Sequence, residues 1–163
     1  MKSPEQVIQQ FYENFRARDA EGMCRCYHPD VVFSDPVFGR LAGAEAAGMW
    51  RMLCARARDL QISFSAVAAR GTSGSAHWEA TYTFSKTGRT VHNVIEASFI
   101  FLNDRIVRHV DRFSLWKWAG QALGPAGVFL GWTPLIRGAV RREARQGLEA
   151  FLRAAVRTEF TDR

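Results

Sequence analysis

Residues 77–84 read His77-Trp78-Glu79-Ala80-Thr81-Tyr82-Thr83-Phe84. Trp78, Ala80, Tyr82 and Phe84 share one face of an extended chain, and His77, Glu79, Thr81 and Thr83 share the other. That is a strand with one face packed and one face wet. Upstream, Leu60, Ile62, Phe64, Ala66 and Ala68 alternate with more polar neighbours before a Gly/Ser-rich turn at 71–75. Downstream, Lys86-Thr87-Gly88-Arg89 turns the chain back, and residues 91–102 and 105–115 form a hairpin around Asn103-Asp104. Four consecutive strands without intervening helices predict an antiparallel sheet rather than a series of parallel crossovers.

The segment before this sheet has a different period. Ser3, with Pro4 after it and Gln6 three residues on, is a capping box, and Val7, Ile8, Phe11, Tyr12 and Phe15 recur at helical spacing. Asp19 caps a second, short helix expected to end near His28, because Pro29 keeps the residue before it out of helical geometry. Val31-Val32-Phe33 reads as a strand running into the turn Ser34-Asp35-Pro36. Gly39 and Gly43 bracket the link to a third helix through Trp50 and Leu53. Three helices against one curved antiparallel sheet make an α+β fold that can enclose a pocket.

The chain has 163 residues, 47% of them hydrophobic and 12% aromatic. This is enough to bury one core without staples and excludes a disordered chain. The first residues, Met1-Lys2-Ser3-Pro4-Glu5-Gln6, lack the charged-then-apolar order of a secretory leader, so a cytoplasmic protein is expected. Cys24, Cys26 and Cys54 have poor spacing for zinc and read as three buried, reduced thiols, and no metal site is expected. There is no Gly-x-Gly-x-x-Gly, no Walker loop and no His-Glu-x-x-His, so no cofactor is expected. Nor is there a nucleic-acid-binding motif.

Three polar residues carry the candidate chemistry. Val31, Phe33 and Asp35 share a strand face, so a core-facing Val31 and Phe33 bring Asp35 inward. Burial raises a carboxyl toward neutrality and makes it a proton-abstracting base; the alternative is that Asp before Pro forms a turn. On the last strand, Val107, His109, Asp111, Phe113 and Leu115 form one face and Arg108, Val110 and Arg112 the other. His109 and Asp111 are then either a coupled proton-transfer pair or a satisfied buried pair. On the preceding strand Asn93, Ile95, Ala97, Phe99 and Phe101 are placed inward. A plain two-residue loop at Asn103-Asp104 would pair Glu96 with Asp111, so this assignment needs a longer loop or a bulge, and Glu96 is the reserve candidate. Asp35, His109 and Asp111 are thus expected on one pocket, walled by the ligand-binding side chains Trp78, Tyr82, Asn93, Phe99 and Phe113.

The run Tyr27-His28-Pro29-Asp30-Val31-Val32-Phe33-Ser34-Asp35-Pro36, with Gly39 and Gly43 after it and Arg18-Asp19-Ala20-Glu21-Gly22 before it, carries a resemblance. It is similar to the nuclear transport factor 2 / ketosteroid isomerase-like superfamily, in its SnoaL-like branch, over about residues 5–116. The stretch from Trp116-Lys117-Trp118 to Leu123-Gly124 resembles a bacterial subgroup. The resemblance implies a cone-shaped curved sheet and a small apolar or polycyclic ligand. It also implies a homodimer formed through the wet sheet face. It puts Asp35 at the base position of the isomerases, Phe11 or neighbouring Tyr12 at the tyrosine position, and Glu96 or Ala97 at the second acid. Asp111 looks similar to the closing-strand aspartate of SnoaL-like cyclases. The Asp-Arg-Asp set of related epoxide hydrolases would need Arg108 or Arg112 to face inward. The implied function is a small-molecule pocket protein of isomerase or cyclase type, with a non-catalytic binding or dimerising module as the alternative.

Residues 1–115 form the expected domain and 116–163 an added helical extension. The first part carries 14 Lys and Arg against 12 Asp and Glu, the extension 8 against 4. Trp116, Trp118, Leu123, Val128, Phe129, Leu130, Trp132, Leu135 and Ile136 are too apolar for a solvated tail, so they are expected to close the open end of the cone. A helix from Arg137 to about Val156 should brace them with Val140, Ala144, Leu148, Phe151, Leu152 and Ala155. The competing explanation is attachment to an anionic lipid surface, but cover for the cone is the expected role and no membrane partner is expected.

Overall fold

A computed structural model of the chain describes residues 2–161; Met1 and the last two residues of the expected extension, Asp162 and Arg163, lie outside the described residues. The elements run α1 (Pro4–Arg16), α2 (Ala20–Cys26), β1 (Tyr27–Asp35), β2 (Gly39–Ala42), α3 (Ala44–Arg56), β3 (Gln61–Arg70), β4 (Ser73–Phe84), β5 (Arg89–Leu102), β6 (Arg105–Arg112), α4 (Leu115–Leu123), α5 (Pro125–Leu130) and α6 (Pro134–Thr161). One six-stranded sheet has the order β2-β1-β6-β5-β4-β3. It is a mixed α+β fold, a curved and unclosed sheet with helices packed against it.

The helix starts follow their caps. Ser3 Oγ accepts from Gln6 N–H while Gln6 Oε1 accepts from Ser3 N–H, and Asp19 Oδ1 accepts from Gly22 N–H. Val7, Ile8, Phe11, Tyr12 and Phe15 are all buried, as the apolar stripe of α1 requires.

Four local readings are corrected. First, β1 begins at Tyr27, and the helix before it stops at Cys26 rather than His28. Second, residues 39–42 form a strand, because Asp35 folds the 36–38 turn and Gly39, at φ +69°, lets the chain return antiparallel on β1. Third, β1 pairs with β6 in parallel, so the sheet is mixed and not wholly antiparallel. Fourth, the last strand ends at Arg112; Ser114 caps a helix by accepting from Lys117 N–H, and Leu115 opens α4.

The hairpin of β5 and β6 settles register. Asn103 and Asp104 both have positive φ, as a tight two-residue turn demands, and the ladder then shifts between Ile100 and Phe101. The shift pairs Ala97 with Asp111 and Phe99 with His109. Ala97 therefore faces the core and Glu96 the outside. On β6 it is Ile106, not Val107, that is fully buried ahead of His109. A similar shift at Ala66, φ +50°, moves the second half of β3 out of the simple alternation.

The C-terminal helices build a second core. Leu115, Trp118, Ala119 and Ala122 are buried with Val91, and Tyr82, Phe84, Phe113 and Val140 pack around them. Leu148 is buried, and Phe151 and Leu152 pack partly buried on the main core. Leu152 fits over Gly48 of α3, where a Cβ would meet its Cδ2 at 2.4 Å. Ala155 is exposed, as are Val128, Phe129, Leu130, Trp132 and Leu135, so only part of the apolar extension covers the cone. Among the described residues no helix is long and apolar enough to cross a membrane.

Candidate active site

Between the sheet and the helices lies a cavity of about 380 Å³. Phe15, Phe33, Trp78, Tyr82, Phe113 and Trp118 give it aromatic walls, and Asp35, Asn93 and Asp111 bring polar groups into it. Its size falls within the range that holds small organic ligands, about 300–1,000 Å³. Trp118 and Leu123 of α4 and Val140, Glu143, Ala144 and Gly147 of α6 form part of the wall, so the extension roofs the cavity. The roof is tied down by the Lys86–Glu143 ion pair and by Arg141 Nε–H donating to Pro36 O at 2.9 Å.

Asp35 sits at the end of β1 and does two jobs. Its Oδ1 accepts from Val37 N–H at 2.9 Å and Phe38 N–H at 2.5 Å, which forms the turn. Its carboxyl also lines the cavity, where burial pushes the pKa from 3.8 up to about 7. The Asp111 charge adds to the rise, and the backbone N–H groups of Phe38, Val37 and Gly39 oppose it. The two readings of Asp35, turn-former and buried carboxyl, are both realised in one residue.

Asp111 lines the same cavity and is held from behind by a buried hydrogen-bonded chain. Trp50 Nε1–H donates to Tyr27 Oη at 2.8 Å, and Tyr27 Oη lies 2.8 Å from His109 Nδ1. His109 Nε2 lies 2.9 Å from Asp111 Oδ1, which also accepts from Trp78 Nε1–H at 3.2 Å. One assignment satisfies every donor. Tyr27 gives its O–H to Nδ1, and the neutral imidazole gives Nε2–H to the carboxylate. A doubly protonated ring would leave the Tyr27 proton without an acceptor.

His109 itself does not line the cavity. It is 0% exposed and enclosed by the rings of Phe99 at 4.4 Å, Phe33 at 5.2 Å, Phe11 at 5.4 Å and Trp50 at 6.0 Å. Phe99 is likewise a core residue behind the wall. The structure thus brings Asp35, Asp111, Trp78, Tyr82, Asn93 and Phe113 to one cavity and places His109 and Phe99 one layer deeper.

The remaining expectations fall as follows. Phe11 and Tyr12 are fully buried and neither lines the cavity; the Tyr12 hydroxyl has no hydrogen-bond partner among the described residues. Glu96 lies on the outer sheet face, 2.6 Å from His77 Nδ1. Arg108 and Arg112 are exposed, so neither stands between the two aspartates. Of the three thiols expected to be buried, Cys26 and Cys54 are, whereas Cys24 is only half-buried; none is bonded to another.

Two partners were not anticipated from sequence. Tyr27 is the first residue after a helix, and its 82-residue separation from His109 gives no local signal. Trp118 Nε1–H donates to Tyr82 Oη at 2.8 Å, which fixes that hydroxyl at the cavity wall. The aromatic run of α4 could have pointed to a wall residue but not to this bond.

The sequence model of the SnoaL-like domain matches residues 8–109. No curated protein matches the chain. Among solved structures, the chain is similar to a protein of ketosteroid isomerase-like fold from Catenulispora acidiphila DSM 44928 in complex with trimethylamine. The identity is 14% over 82% of this chain and 100% of that one, with a TM-score of 0.66. TerC, co-crystallised with polyporic acid, is 20% identical over 75% of this chain and 100% of its own, TM-score 0.64. IdmH from Streptomyces antibioticus, a proposed polyketide cyclase, is 20% identical over 74% and 98%, TM-score 0.63. At these identities the structures speak for the fold, and the sequence match speaks for the family: this chain belongs to the SnoaL-like domain family.

Proposed function

We propose that the protein is a small-molecule enzyme of isomerase or cyclase type in which Asp35 removes a proton from carbon next to a carbonyl. One observation carries this reading: a carboxyl with a pKa of about 7 lines an aromatic cavity of about 380 Å³. Such a base is half ionised near neutrality and stronger than an ordinary carboxylate. As Asp35 takes the proton, the C–H electron pair moves into the carbonyl and charge develops on its oxygen. Tyr82 accepts from Trp118, so its own O–H is left to donate to that oxygen. The proton is returned elsewhere on the ligand for isomerisation, or the enolate carbon attacks a second carbonyl for cyclisation. Asp111 keeps Asp35 basic through its charge, and His109 and Tyr27 are positioning residues for Asp111. The ligand this cavity fits is small and apolar or polycyclic, and TerC, which shares the fold, was co-crystallised with a ring compound, polyporic acid.

The probe is 2-tetralone in deuterated buffer, with exchange of its α-protons followed by NMR. Wild type should exchange them faster than buffer, Asp35→Asn should not, and Tyr82→Phe should be slowed. Equal exchange by wild type and Asp35→Asn overturns the assignment. The second reading is a binding module without turnover, favoured by the commitment of Asp35 Oδ1 to the 36–38 turn; it predicts quenching of tryptophan fluorescence by the probe without exchange. We further place a cytoplasmic homodimer at the outer face of β4 and β5, around His77, Glu79 and Thr81. A monomer by light scattering at high micromolar concentration contradicts that dimer.

A further inference from the structure

From residue 118 to residue 136 the chain carries no charged side chain. The α5 helix and its exit turn hold the middle of this stretch out into solvent. Phe129 and Leu135 are each 75% exposed, Trp132 65% and Leu130 50%. This is not a loosely hung tail. Gly127 packs so closely on α4 that a Cβ there would lie 1.9 Å from Ala119 O, and Trp116 Nε1–H donates to Val128 O. Trp132 Nε1–H donates to Phe129 O at 3.0 Å, which fixes the indole with its apolar edge outward. A rigid apolar knob of this kind on a folded surface has a use.

Cations surround the knob. On one side a surface groove is lined by Trp116 and Val128 together with Arg89 and Lys117. On the other, Arg137 lies in the first turn of α6, and Arg142 stands seven residues after Leu135, two turns on along the face that Leu135 occupies. Lys117, Arg137 and Arg142 have no carboxylate partner among the described residues. Aromatic and aliphatic side chains projecting between unpaired cations match the boundary of an anionic bilayer: rings enter the headgroup layer and cations stay with the phosphates.

We infer that the 128–135 knob and its basic flanks dock this protein on the surface of anionic membranes, by contact and not by insertion. The inference is independent of the chemistry proposed for Asp35 and uses none of its residues.

The test is pelleting of the full chain with sucrose-loaded vesicles, of phosphatidylcholine alone or with about 30% phosphatidylglycerol. The protein should pellet with the anionic vesicles, weakly with the neutral ones, and be released as salt rises from about 0.1 to about 0.5 M. A Phe129→Ser/Trp132→Ser/Leu135→Ser variant should keep the wild-type circular dichroism, since these side chains are exposed, and bind at least about tenfold more weakly. A Lys117→Glu/Arg137→Glu/Arg142→Glu variant should lose the preference for anionic lipid. The inference is overturned if wild type stays in the supernatant, or if the serine variant pellets equally. It is also overturned if wild type forms a dimer that this variant dissolves while neither binds vesicles, which would assign the knob to a second copy.

Discussion

Asp35→Asn should make the folded protein more stable, and the gain should depend on pH. Raising a carboxyl from 3.8 to about 7 corresponds to about 4 kcal/mol at 1.36 kcal/mol per tenfold. The residue keeps some contact with solvent, which lowers the figure to about 2–3 kcal/mol. The folded value lies above the unfolded one, so between about pH 4 and 7 the folded state binds more protons. Stability is therefore lost as pH rises through this window, and the penalty is complete above about pH 7. Asparagine removes the charge while its side-chain oxygen can still accept from Val37 and Phe38. The advantage of the variant over wild type should be about 2 kcal/mol larger at about pH 8 than at about pH 4.5. For a chain of this size that is a Tm difference larger by about 4–8 °C, readable by calorimetry at the two pH values. The same Tm shift at both, or a variant less stable than wild type at the higher pH, refutes the reasoning. A stabilised variant that has lost proton exchange would show that charge burial at this site serves function at the expense of stability.

Three further outcomes follow from named contacts. Tyr27→Phe strands the buried Trp50 Nε1–H and His109 Nδ1 without their shared partner and should cost about 2–4 kcal/mol by denaturant titration; a loss below about 0.5 kcal/mol would show that the chain is not satisfied through Tyr27. Gly127→Ala drives a Cβ into the Ala119 carbonyl and should loosen α4 from α5, seen as a lowered Tm and easier proteolysis after residue 123; unchanged values contradict the close contact. If Asp35 is the base, turnover should rise with pH through about 7, because the base acts ionised, and a flat profile between about pH 6 and 8 would remove it from that role.

The elements most legible in the sequence were those whose pattern is local. The α1 stripe, the Ser3 cap and the alternation around Trp78 each need only a few residues to be read. That the Asn103-Asp104 hairpin departs from a plain two-residue ladder was legible, because such a ladder cannot put both Asn93 and Asp111 inside, but the sequence left a longer loop and a bulge equally open, and the bulge is what the structure has. The parallel pairing of β1 with β6 was not, since it joins residues about 76 apart and leaves no turn as a signature. Asp35 and Asp111 were found because alternation tells which face a side chain is on. His109 was found by the same rule yet lies behind the wall, because alternation does not tell how deep a residue sits when Phe99 and Phe33 stand around it. The exposure of Phe129, Trp132 and Leu135 ran against composition, which says that such residues want cover but not where cover is found.

The cavity has two kinds of boundary, and they come from different parts of the chain. Its acidic floor rests on β1 and β6, while much of its roof is α4 and α6. Substitutions at Val140, Ala144 or Gly147 can raise, lower or reshape this roof without moving either aspartate. If Asp35 carries the chemistry proposed for it, what the cavity admits and what is done to a guest there can therefore drift apart over evolution. On that reading, two chains sharing the floor need not share a ligand, and a change of ligand would need no change of chemistry.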